Sequence, residues 1–442
     1  MRAFVLGVLV MISSCNCPGP AVEDDAGSSV ETDAGTEPER DAGTARTNVS
    51  GVANAIVAQG DRFVLVGSTG LRPDVFQLAR MHGDGSLDET FGTNGYAFVE
   101  WPSFFWSNPM YADAGVPPVE LSMDVAFAAT LQGSKIVVSG SVGSRAGQNG
   151  AFGIARFSAD GVLDQTFGDG GTTDVRFSSF VGGTALSLAQ RADGKLYIGG
   201  FTTRSFDSAN DTDFAVARFT ADGVLDDAFG FHGVEVIDFG REESGRSLAF
   251  QGDKVLIAGG DDFSVTRLNP DGNVDVTFGS GGVARSQGGY AHNMRVLTSG
   301  HILVAGSISR GDSLPWAIKL VRYTADGQLD ATFGVFGEMK LGFDEQQVAV
   351  LSLDELPGGE IVLAMVSTAG ATPRPTVARL SANGTLDSSF GTNGLTALPT
   401  QLTYIGGNPF SPNQAIVSGG KLHLVDSYRA DEVYVRYVST SL

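Results

Sequence analysis

The sequence predicts an all-β fold: a seven-bladed β-propeller of four-stranded blades, closed by an N-terminal strand that completes the last blade. Three observations predict it. A sixteen-residue pattern, Arg-x3-Asp/Asn-Gly-x-Leu/Val-Asp-x2-Phe-Gly-x2-Gly, recurs six times, beginning at Arg80, Arg156, Arg218, Arg267, Arg322 and Arg379. Short apolar runs punctuated by glycine, of which the chain has 60, fill the space between copies. A seventh apolar unit stops at residue 442 without its fourth strand, while residues 45–50 stand before the first unit and belong to none. Repetition at this period overrides the roughly three domains that length alone would suggest.

Residues 1–14 read as a lipoprotein signal peptide. Arg2 supplies the positive end, and residues 3–12, AFVLGVLVMI, are too short an apolar stretch to span a bilayer comfortably. Ile12-Ser13-Ser14-Cys15 resembles the bacterial lipobox, which implies cleavage after Ser14 and a lipid on Cys15. The alternative is an ordinary signal peptide with a chance cysteine. Cys17 fits less well, because Asn16 stands where a small residue is usual. The expected location is therefore the bacterial cell envelope, at the outer membrane or cell surface, with the lipid as the membrane contact.

Residues 15–44 read as an acidic disordered tether. Eight acidic residues stand there against Arg40, and only Val22 and Val30 are large and apolar. Such a stretch cannot bury enough surface to offset the entropy of ordering.

The propeller occupies residues 45–442, as six full units and a truncated seventh. Each unit has four apolar runs, strands a to d; in the third they are residues 185–191, 195–201, 214–220 and 234–239. The b runs are nearly continuous in apolar residues, as strands covered on both faces should be. The repeated pattern joins c to d. Its Asp-Gly (Asp84-Gly85 in the first copy) suits a tight turn, and its second Asp (Asp88) stands where a cap for a one-turn helix belongs. Phe91 then aims inward, and the Gly behind it suits a left-handed residue. The repeated Arg is expected to contact a turn carboxylate or carbonyl. Calcium loops are the rival reading of these acids, but the two Asp are four apart with an apolar residue between and no bidentate Glu follows.

With these motifs the chain resembles the delta-60 repeat family of bacterial proteins, whose repeat carries the same DG-x-LD-x2-FG core. The resemblance covers nearly all of residues 52–398. It implies propeller-like, secreted or lipid-anchored proteins without a shared activity, and it transfers no catalytic residue. The sixth copy departs by Asn383, and the seventh unit lacks the core.

Strand parity then separates two faces. The a–b and c–d connections share one, made uniform by the repeated pattern; the b–c and d–a connections share the other, and they vary freely. The long d–a connection at residues 101–122 holds Trp101, Phe104, Phe105, Trp106 and Tyr111, and Trp316 ends a b–c loop on the same face. These six are the candidate contacts for a protein or glycan, although a loop folded into the central channel would use the same rings.

Among polar residues expected along the inner strands, Asp124, Asp354 and His292 would be the nucleus of a propeller enzyme, a hydrolase or quinone-dependent dehydrogenase. No spacing unites them. No histidine pair has metal spacing and no Gly-x-Ser-x-Gly elbow occurs, so no catalytic residue, resident metal or cofactor is expected. A formal charge of −21 argues against nucleic acid as partner. The reading is a monomeric, non-catalytic binding or scaffold module.

Overall fold

A computed structural model describes residues 44–69, 75–101, 123–144, 150–177, 182–204, 211–308, 317–342, 348–367, 374–398, 415–429 and 433–442. All of the described residues belong to one compact unit, residues 41–442. The signal peptide, Cys15 and nearly all of the tether therefore lie outside them, as do Phe104, Phe105, Trp106, Tyr111 and Trp316. Every regular element among the described residues is a strand, so no helix there is long and apolar enough to cross a membrane.

Six antiparallel sheets are each made of four strands consecutive in the chain. The third blade is representative: β10 (Gly182–Gln190), β11 (Leu196–Thr203), β12 (Thr212–Phe219) and β13 (Val234–Ile237). The b strand β11 is buried at seven of its eight residues and β12 at all eight, because neighbouring blades cover both faces. Each blade's a strand carries a bulge at an equivalent place, for instance between Ala185 and Ser187 in the third blade and Ala291 and Asn293 in the fifth. A bulge raises the local twist.

The expected count of seven blades is corrected to six blades of the repeated design, and the repeat itself gives the reason. It links each blade to the next. The amide N–H of Gly92 donates to the Asp160 carbonyl of the following blade at 2.7 Å, and Gly168, Gly230, Gly279 and Gly334 repeat this toward Asp222, Asp271, Asp326 and Asn383. Five such links join six blades. The remaining four-stranded sheet is of a different make: the chain's last three strands, β26 (Ala415–Ser418), β27 (Lys421–Arg429) and β28 (Val433–Ser441), pair with β1 (Thr44–Ser50) from the other end. β28 runs antiparallel to β1 with Arg46 opposite Arg436. This sheet has no copy of the pattern, and among the described residues Gly391 of the sixth copy finds no acceptor in a following blade. It packs between the sixth and first blades, where Ala415, Leu422 and Leu424 join the core of the sixth blade and His423 lies 4.2 Å from the Phe63 ring. An edge paired in this way is not left open for association.

Within a copy, Arg80 Nε donates to Asp88 Oδ2 at 2.7 Å, and its Nη1 reaches the Ala159 carbonyl of the next blade at 2.8 Å. Asp88 Oδ1 accepts from the Thr90 amide at 3.1 Å. The expected one-turn helix is instead a run of turns, in which the Phe91 amide returns to the Asp88 carbonyl at 3.1 Å. The guanidinium lies 4.8 Å from the Phe91 ring centre, and that ring is fully buried. It packs against the Asp-Gly glycine of the following blade: a Cβ on Gly161 would stand 2.8 Å from Phe91. The pattern is a staple between blades.

Candidate functional site on the variable face

Of the aromatic contacts expected on the variable face, Trp101 is described, and it is buried. Its ring sits 4.6 Å from Phe76 within the shared core of the first two blades, and its indole lies close over Gly153. Its backbone N–H points to Asp124 at 3.4 Å. The glycine at 153 is what admits the ring, since a Cβ there would come within 3.1 Å of it.

The three polar residues considered for chemistry sit in different blades. Asp124, fully buried in the second, accepts the Gly143 amide at 2.7 Å. Asp354 in the sixth pairs with Arg295 of the fifth. Burial pushes its carboxyl above the usual range, with Arg295 opposing that rise. His292, in the fifth, lies 3.3 Å from Ser307 Oγ, and burial, helped by Arg246, pushes its ring down to about 3. Each is engaged by its own blade or a neighbour.

The variable face holds a cluster that the sequence reading did not single out. Asp213 stands in β12 at the c-strand entrance, Asp238 directly follows β13, and Glu243 lies in the connection to β14 (Gly245–Gln251) of the fourth blade. One carboxylate oxygen from each lies within 4.8 Å of the other two. Arg204 binds both aspartates, Nε to Asp213 at 2.6 Å and Nη2 to Asp238 at 2.7 Å. The Gly240 amide donates to Asp238 Oδ1 at 2.6 Å. Glu243 is held from behind: its N–H donates to the Thr212 carbonyl at 3.0 Å. The segment also lies hard against Gly260, where a Cβ would be 2.5 Å from the Glu242 carbonyl oxygen.

Glu243 is 1% exposed, and among the described residues neither of its carboxylate oxygens has a hydrogen-bond partner. Burial pushes its carboxyl up to about 7; the amides of Phe239 and Arg241 pull the other way without reaching hydrogen-bond geometry. Burial also raises Asp213, against the pull of Arg204.

Among the described residues the cluster occurs once. Aligned by strand register, the Asp213 position is Val75, Ala151, Asp262, Ala317 and Arg374 in the other blades, and the Asp238 position is Glu100, Arg176, Gln287 and Gly342 in the first, second, fourth and fifth. Only the third blade is acidic at both. That alignment, anchored on the repeated Arg, was available from sequence, whereas the convergence of Glu243 needed the fold.

Five segments, residues 134–167, 191–229, 252–278, 298–333 and 358–390, match a family model described as "Domain of unknown function (DUF5122) beta-propeller". Each ends on the phenylalanine of the repeated pattern, Phe167, Phe229, Phe278, Phe333 and Phe390. The chain is a β-propeller repeat protein. Among solved structures, this propeller is similar to polysaccharide lyase Uly1 at 11% identity, covering 92% of this chain and 93% of that one with a TM-score of 0.45. It is also similar to a puromycin hydrolase at 12% identity, 89% and 53% coverage and a TM-score of 0.47; the propeller thus spans about half of that hydrolase. Drosophila Semaphorin 2a is similar at 7% identity, 90% and 75% coverage and a TM-score of 0.45. Among curated proteins, none matches.

Proposed function

We propose that this propeller is a monomeric, non-catalytic recognition module of the bacterial cell envelope, tethered by a lipid on Cys15, whose variable face binds a protein or glycan. One observation carries the reading: five of the six repeated turns are occupied in joining blade to blade, and non-repeating residues gather at the other ends of the strands. A device used six times alike answers a structural need. A cluster used once, on the face with the freely varying loops, answers a particular one.

The experiment compares the tethered chain with a variant lacking residues 102–118, both on a glycan array and in a pull-down from envelope extract. Loss of binding in the variant supports the reading, and the arm that loses it says whether the partner is glycan or protein. Equal binding by both chains removes that loop as the recognition element.

A further inference from the structure

We propose that Asp213, Asp238 and Glu243 form a binding site for one divalent cation, calcium by size, on the variable face at the junction of the third and fourth blades.

The geometry suits a hard cation. Three oxygens within 4.8 Å of one another leave a point no more than about 2.8 Å from all three (4.8 Å divided by √3). Calcium takes oxygens at about 2.3–2.6 Å with flexible geometry, while magnesium demands about 2.0–2.1 Å in a near-ideal octahedron. Small adjustments of three side chains reach the first distance more readily than the second. With oxygen donors and no nitrogen or sulfur in the cluster, zinc and copper are poor candidates.

Charge points the same way. Three carboxylates face one guanidinium, and Arg204 reaches neither oxygen of Glu243. A buried carboxylate without hydrogen bonds is costly unless a proton or a cation joins it.

A fourth oxygen is at hand. Thr202 is fully buried, its Oγ1 has no hydrogen-bond partner among the described residues, and it stands opposite Asp213 in the β11–β12 register, so both side chains leave the same face of the sheet. The Arg204 side chain is 43% exposed, which leaves the site a side open to solvent for entry and for water ligands.

The site is independent of the partner reading, since cation binding is measured without any partner. The full propeller, stripped with chelator, is titrated calorimetrically with calcium and with magnesium, and its thermal midpoint is followed in parallel. The expected result is saturable binding of one calcium per chain, a raised midpoint, and at least a tenfold weaker response to magnesium. Glu243→Gln and Asp238→Asn should each weaken calcium at least tenfold, whereas Asp160→Asn, at a 79% exposed acid in a repeated turn, should not. Asp238 is exposed, so its variant keeps the test alive should Glu243→Gln fail to fold. Absence of saturable calcium binding would overturn the proposal. So would unchanged affinity in the Asp238 variant, or preference for magnesium.

Discussion

At Gly223 the backbone φ is +79°, and a Cβ would stand 2.5 Å from the Phe167 ring of the preceding blade. Gly194 is comparable in backbone, at +86°, but a Cβ there would meet only the Ala221 methyl at 3.3 Å. The pair separates two effects. Gly194→Ala should cost about 1 kcal/mol from the left-handed backbone alone. Gly223→Ala should cost about 2–4 kcal/mol, because the displaced ring adds an overpacking penalty. Chemical denaturation of both variants checks this, and equal losses would refute the crossing of Phe167 between blades.

Phe336 poses the opposite case. It holds φ at +54° while 82% exposed, at a turn position filled by Asn94, Gly170, His232, Gly281 and Asn393 in the other copies. The repeated face is therefore not uniform at its tips: Phe231, Val335 and Phe336 are exposed there. Phe336→Gly should raise stability by about 1 kcal/mol, since a bulky side chain in that conformation is strained and buries nothing here. Lowered stability would mean that the ring has a contact of its own.

Among the elements, the staple explains what was legible in the sequence and what was not. The Asp-Gly turn, the Arg–Asp pairing and the left-handed glycine are local, fixed by residues eight or fewer apart, and spacing revealed them. That each phenylalanine packs against the next blade is not local. A pattern repeated in every blade reads the same whether the ring packs at home or next door. The acidic cluster was hidden for a related reason, since its members lie up to 30 positions apart (Asp213 to Glu243) and meet only through β12, β13 and the link to β14.

The staple also sets a pH dependence. The Lys135 ammonium, then the Thr166 hydroxyl, hold the Asp164 carboxyl well below the usual range. The unfolded chain therefore takes up protons at higher pH than the folded one. The stability this gives is fully present above the ordinary Asp range near 4 and is lost as pH falls below it. Equilibrium unfolding of Asp164→Asn should show lower stability than wild type at pH 7 and a smaller decline from pH 5 to pH 3. An unchanged decline would detach this carboxylate from acid sensitivity.

At the scale of the molecule, the two ends of every strand have different tasks. One end spends the repeated residues on cohesion: Arg over Phe at 4.6–4.8 Å in six copies, with each of the first five tied to its successor. This relieves the other end of structural duty, so its connections differ in sequence from blade to blade, which is where the proposed cation site lies. The sheet made from both chain ends depends on pairing with β1 and on packing, having no staple of its own.

The most direct measurement is native-state hydrogen exchange at the six equivalent glycine amides. Gly92, Gly168, Gly230, Gly279 and Gly334 donate across a blade boundary, and Gly391, in the same turn, does not. The five should exchange only through global opening, with Gly391 faster by orders of magnitude. Six alike rates would contradict the staple, and with it the division of labour between the two faces.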